Sequence, residues 1–232
     1  MPKLPHYSTF ENKHEGETGL IVVAGPSLNN VPLEALDDYT TFAPNLIYKV
    51  FTPNYYVNIG ISHFKAPGLC EEILDMLDDP KVTAGFVNRL WIHKLPHTKA
   101  YTIMSPKLYG ADEWEEIFGF SFDPLMTVGV RVSVVYVILQ IAYYMGFQKM
   151  CLVGLDHDYS GPMKHCYSED DRQLVKPGEQ YGFSTKEWLK QADHIFSFTR
   201  EVYEMDGREI VNWTPESKCE VFKRETPPWL TS

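Results

Sequence analysis

The chain has 232 residues, 44% hydrophobic and 22% charged, which suits one generous domain without disulfide staples and is too little for two ordinary ones. Its formal net charge of −10 argues against nonspecific nucleic-acid binding, which needs Lys and Arg to neutralise phosphates. No run of about 18 apolar residues occurs, so no helical membrane span is expected. The polar stretch Met1 to Glu17 lacks the apolar segment of a signal peptide, and cytoplasmic residence is the expectation.

Residues 1–18 are polar, carry Pro2 and Pro5, and read as a lead-in arm to a single α/β domain over 19–226. Gly19 to Ala24 is a short apolar, β-branched run meeting a sharp turn at Gly25-Pro26, the pattern of a buried strand. Val31 to Asp38 reads as a short helix. Thr40 to Ala43 and Leu46 to Tyr48 read as a second strand interrupted at Pro44-Asn45, and Asn54 to Ile59 as a third. Pro67 to Leu77 has helical apolar spacing, and Phe86 to Ile92 reads as another strand. Residues 93–128 mix Pro, Gly, Tyr and acidic side chains without period, and read as a lid or an insertion.

Ser133 is placed to cap a helix from about Val134 to Met145, which Gly146 ends. Lys149 to Gly154 follows as a buried strand, and its carboxyl end carries Asp156, His157, Asp158 and Tyr159. Lys186 to Met205 reads as an amphipathic helix and Glu209 to Asn212 as a last strand. The alternation predicts a Rossmann-like, open, mostly parallel sheet with helices on both faces. The four cysteines, Cys70, Cys151, Cys166 and Cys219, include no CxxC pair and read as reduced thiols.

Three places could carry chemistry. Gly25-Pro26-Ser27-Leu28 sits where a strand runs into a helix start. Such a turn can leave backbone N–H groups facing an anion, with Gly25 permitting close approach and Ser27 adding a hydroxyl, although an ordinary strand-to-helix turn has the same pattern. Ser133 is an N-cap whose neighbouring amides would also favour an anion. Asp156, His157 and Asp158 lie where open α/β sheets bind ligands, and a divalent metal, a ligand hydroxyl or His157 itself could satisfy the carboxylates. His157 suits a general base.

Taken in order, Gly25 to Leu28, Asn45 to Tyr48, Ser133 to Phe147, Gly154 to His157 and Asn212 to Phe222 resemble the MptE-like family, named for archaeal 6-hydroxymethylpterin diphosphokinases. The layout is also similar to bacterial sialyltransferases that use CMP-sialic acid. That resemblance implies that Gly25, Pro26, Ser27, Leu28 and Asn45 hold a nucleotide, with Ser133 near its phosphate. The family pattern usually reads Gly-Asn before Gly-Pro-Ser-Leu, where this chain has Val23 and Ala24. It also has Gly182-Phe183 where the sialyltransferases place a late-loop His.

Three functions follow as expectations. One is a glycosyltransferase-like transferase using a nucleotide or nucleotide-sugar donor and a hydroxyl acceptor, as in surface glycan assembly, with His157 or Asp156 as catalytic groups. Another is an ATP-dependent 6-hydroxymethylpterin diphosphokinase with Mg²⁺ on Asp156 and Asp158. A third is a nucleotide-binding module without catalysis. Both monomer and homo-oligomer are open.

Overall fold

A computed structural model describes residues 7–60, 68–103, 119–123, 133–160, 165–167 and 184–231. The strands are β1 (Thr18–Val22), β2 (Thr40–Pro44), β3 (Tyr55–Asn58), β4 (Ala84–Asn88), β5 (Ala100–Ile103), β6 (Lys149–Val153), β7 (Glu209–Asn212) and β8 (Lys223–Arg224). Three α-helices among the described residues accompany them: α1 (Leu69–Asp78), α2 (Val134–Tyr144) and α3 (Thr185–Met205). The sheet order is β5-β4-β3-β2-β1-β6-β7-β8, and every described pairing is parallel. No helix among the described residues is long and apolar enough to cross a membrane.

The central strands are continuous buried runs because helices cover both faces. On one face α2 and α3 pack over Ile21, Phe42, Tyr55 and Leu152. α2 is buried nearly all round, and the Tyr203 hydroxyl of α3 donates to the Leu139 carbonyl at 2.6 Å, joining the two helices inside the core. On the other face Leu69, Ile73 and Leu77 of α1 meet Leu28, Leu36 and Ile47 from single 3₁₀ turns.

Four sequence expectations are corrected. The arm is part of the core: Phe10 is buried among Tyr55, Phe86 and Tyr101, and the His14 ring stacks on Phe147. The amides of Asn12, His14 and Gly16 donate to the carbonyls of Tyr144, Met145 and Gly146, closing the end of α2 that a helix otherwise leaves unsatisfied. Leu46 to Tyr48 does not resume β2, because Asn45 takes a left-handed φ of 55° and sends the chain into a 3₁₀ turn over Ile47–Lys49. The strand expected over Phe86 to Ile92 begins at Ala84 and gives way at Arg89 to a 3₁₀ turn. Inside the supposed lid, Ala100–Ile103 is the edge strand β5; residues 104–118 and 124–128 lie outside the described residues.

From β1 the chain steps outward through β2, β3 and β4 to β5, then returns to lay β6 on the other side of β1. The carboxyl ends of β1 and β6 are therefore the point where strand order reverses, the place at which open α/β sheets form a ligand crevice. α2 and α3 run straight into the starts of β6 and β7, so their N-termini lie at that same rim.

Candidate functional site

The seam between β1 and β6 is zipped beyond the strands themselves. The Val23 amide donates to the Val153 carbonyl at 2.8 Å and the Gly25 amide to the Gly154 carbonyl at 2.9 Å. Pro26 has no N–H, and the Leu28 amide turns back to the Gly25 carbonyl at 3.1 Å. The Ser27 amide and hydroxyl both donate to Asp156 Oδ2, at 3.2 and 2.9 Å. A Cβ on Gly25 would lie 2.7 Å from Asp156 Cγ and overlap the carboxylate oxygen and the Gly154 carbonyl.

These contacts correct the expected phosphate cradle. The turn does bind an anion, and the anion is the chain's own Asp156. Gly25 lacks a side chain so that this carboxylate can sit on it. A phosphate placed there would face a like charge, a repulsion of ~1–4 kcal/mol at about 4 Å between water-like and protein-surface screening. Leu28 contributes nothing polar either, since its side chain is buried in the core.

Burial is the main force holding the Asp156 carboxyl above its ordinary range, Asp158 adds to it, and the two Ser27 hydrogen bonds oppose both. Asp158 has its own serine: Oδ1 accepts from the amide and hydroxyl of Ser160 at 2.8 and 2.7 Å. Among the described residues no group of three or more His, Cys, Asp or Glu side chains is placed to hold a metal ion. Each of the two carboxylates thus has one oxygen engaged by a serine.

His157 has a left-handed backbone, φ 55°, which is costly for a ring-bearing residue and persists only where its surroundings impose it. Its buried side chain places Nε2 3.0 Å from Asp193 Oδ1 on α3, with the Phe196 ring beside it. Burial depresses the imidazole's proton affinity more than Asp193 restores it, so the ring stays neutral and Nε2–H donates to the carboxylate. A His whose folded pKa lies below its ordinary 6.5 contributes stability at higher pH that is lost as pH falls through that value and on through the lowered one. Urea unfolding between pH 7.5 and 5 is expected to show this decline, with a flatter curve in His157→Gln; identical slopes would contradict the burial of this ring.

Asn45 is half-buried at the end of β2, its amide donating to the Val57 carbonyl at 3.1 Å, while its side chain has no partner among the described residues. Ser133 is the expected N-cap: its Oγ accepts from the Val135 amide at 3.2 Å. No hydrogen bond among the described residues joins it to Ser27 or Asp156. The His165 ring stacks on Tyr167.

Between the Asp158–Ser160 loop and the first turns of α3 lies an open groove of about 650 Å³, lined by Tyr159, Lys186, Leu189, Lys190 and Asp193 among others. Asp193, which lines this groove, is the residue that His157 contacts. Burial and Asp156 push the Tyr159 hydroxyl up to about 12, so it remains a donor at neutral pH. Lys186, Lys190 and Asp193 escaped the sequence reading because charged side chains on an amphipathic helix read as a solvated face; their spacing of four and three was the available signal.

No family model and no curated protein sequence matches the chain. Two solved structures do resemble it. One is the sialyltransferase CstII from Campylobacter jejuni in complex with the substrate analogue CMP-3FNeuAc, at 15% identity and a TM-score of 0.56, covering 90% of this chain and 86% of that one. The other is a single-residue variant of sialyltransferase CST-II in complex with CMP, at 14% identity and a TM-score of 0.55, with the same coverage. At this identity the likeness shows the fold, which the strand order had already made an α/β sheet with one switch point.

Proposed function

We propose that the protein is a transferase that takes a nucleotide-activated sugar and passes the sugar to a hydroxyl acceptor, in glycan assembly. The observation carrying this reading is the Asp156 carboxylate clamped by Ser27 at the β1–β6 switch point. With Oδ2 fixed, Oδ1 is oriented to accept from hydroxyls of a nucleoside. The Asn45 side-chain amide at the neighbouring strand end, without a partner among the described residues, offers both a donor and an acceptor to a base. The leaving phosphate is assigned to the N-terminus of α2 beside Ser133, where the helix dipole favours negative charge. The structures sharing this fold were solved with CMP and a CMP-sugar analogue, which supports a nucleotide donor.

In the transfer, the acceptor oxygen bonds to the anomeric carbon as its proton passes to the Asp193 carboxylate held by His157. The anomeric C–O bond to the phosphate breaks, and its electron pair leaves on the nucleotide. His157, first read as the base, is here the group that fixes Asp193. The diphosphokinase reading rests on the MptE-like resemblance, with Asp156 and Asp158 as the residues that would hold Mg²⁺. The inactive-module reading rests on Val23 and Ala24 and on the absent late-loop His, at Gly182-Phe183, which lie outside the described residues.

Calorimetry against CMP, UDP, GDP and ATP, and against ATP with a hydroxymethylpterin and Mg²⁺, tests the choice. CMP is expected to bind, and Asp156→Ala or Asn45→Ala to weaken it at least tenfold, about 1.4 kcal/mol. A ligand at 100 times its Kd also stabilises the fold by about 2.7 kcal/mol, giving an independent thermal readout. Binding of ATP and pterin only with Mg²⁺ would overturn the glycosyl reading, and nucleotide binding without turnover of any activated sugar would favour the module.

A further inference from the structure

The groove beside the candidate site is lined by Lys186 and Lys190 along with Asp158 and Asp193, so bases match acids there, in a chain where acids dominate. Acidic side chains outnumber basic ones by 31 to 21 overall. Along the α3 wall, however, Lys186 and Lys190 stand one helical turn apart, both exposed, and neither has an ion-pair or hydrogen-bond partner among the described residues. Asp193 lies one further turn along the same stripe, its carboxylate held by His157. The remaining wall is amphipathic. Leu189 supplies apolar surface, and the Tyr159 ring stands edge-on to Trp188 at a centroid distance of 5.6 Å.

This stripe orders two functions along one helix. With a rise of about 1.5 Å per residue, the two ammonium-bearing positions lie about 5–10 Å along the axis from Asp193. A molecule whose hydroxyl meets Asp193 would therefore bring groups one or two sugar units away against the lysines. A neutral glycan offers these cations no charge, whereas a carboxylate or phosphate at that separation meets them directly. The Asp156–Tyr159 segment links this groove to the switch point, since Asp158 and Tyr159 line the groove and Asp156 holds Ser27.

We infer that the groove is the acceptor subsite and selects an acceptor bearing a negative charge, a carboxylate or phosphate on the unit next to the reacting hydroxyl. The word acceptor rests on the transferase reading; the anion preference does not.

The test compares p-nitrophenyl β-D-glucuronide with p-nitrophenyl β-D-glucoside by saturation-transfer NMR titration, on the full chain, with and without CMP. The glucuronide is expected to bind at least fivefold more tightly at low salt, with the preference shrinking as salt screens it. Charge reversal in Lys186→Glu/Lys190→Glu should abolish the preference and leave CMP affinity within twofold and the melting temperature unchanged. Equal affinity for the two glycosides, or a preference that survives charge reversal, overturns the inference. So does a tenfold loss of CMP affinity with the glycoside preference intact, because the lysines would then serve the donor phosphate. If CMP does not bind while the preference is present and reversible, the donor reading fails and the anion-selective groove stands.

Discussion

Gly154→Ala is expected to be the most damaging single methyl in the protein. Gly154 sits at φ 74°, a left-handed conformation that costs an L-residue with a side chain roughly 1–2 kcal/mol. A Cβ there would also overlap the Val23 carbonyl oxygen, which is backbone and cannot swing aside. Relief requires moving β1 away from β6, and the Val23–Val153 and Gly25–Gly154 hydrogen bonds would go with it. A loss of about 4 kcal/mol or more is expected, at the exceptional end of single substitutions. Urea denaturation checks it. A midpoint within experimental error of the parent would mean that the seam is not built as described.

Gly25→Ala should separate the site from the fold. Its φ of −66° suits alanine, so the backbone is not the obstacle. The new Cβ would instead collide with the Asp156 carboxylate and the Gly154 carbonyl. Expelling the carboxylate removes both Ser27 hydrogen bonds, each of the charge-assisted kind worth about 1.5–3 kcal/mol. CMP affinity is expected to fall at least 30-fold, about 2 kcal/mol. A double-mutant cycle with Asp156→Ala isolates the cause: removing the carboxylate should recover part of the stability lost to Gly25→Ala. Strict additivity would show that the glycine is needed for the backbone contact alone.

Much of the architecture was legible in the sequence because it is local. Apolar, β-branched runs such as Leu20-Ile21-Val22 and Cys151-Leu152-Val153 can only be buried strands, and Ser133 and Gly146 bracket α2 by ordinary capping chemistry. The misreadings have equally definite causes. β5 is a four-residue edge strand with two half-exposed positions, too short for a period to emerge from its Pro- and Tyr-rich surroundings. Leu46 to Tyr48 has strand-forming side chains, and tertiary context at Asn45 overrode them. Phe10 and His14 are single ring-bearing residues in a polar stretch, and nothing nearby announces that Tyr55, Phe86 and Phe147 await them.

At the candidate site the residues were legible and their relationship was not. Ser27 and Asp156 were both singled out, for separate reasons, on separate segments. Their hydrogen bond spans 129 residues of chain, and no local pattern records it. The same holds for His157 and Asp193, 36 residues apart on a loop and a helix. Each pair turns an apparently ligand-hungry group into one already oriented by its own molecule.

The seam also bears on how the polypeptide must be made. β1 lies between β2, which follows it within about twenty residues, and β6, whose partners begin at Lys149. Until that later strand leaves the ribosome, Leu20, Ile21 and Val22 present an open apolar border with unpaired amides, a template for wrongful pairing with another nascent molecule. The interval between translating the first and sixth strands is thus the window in which a holdase should most improve the yield of native protein.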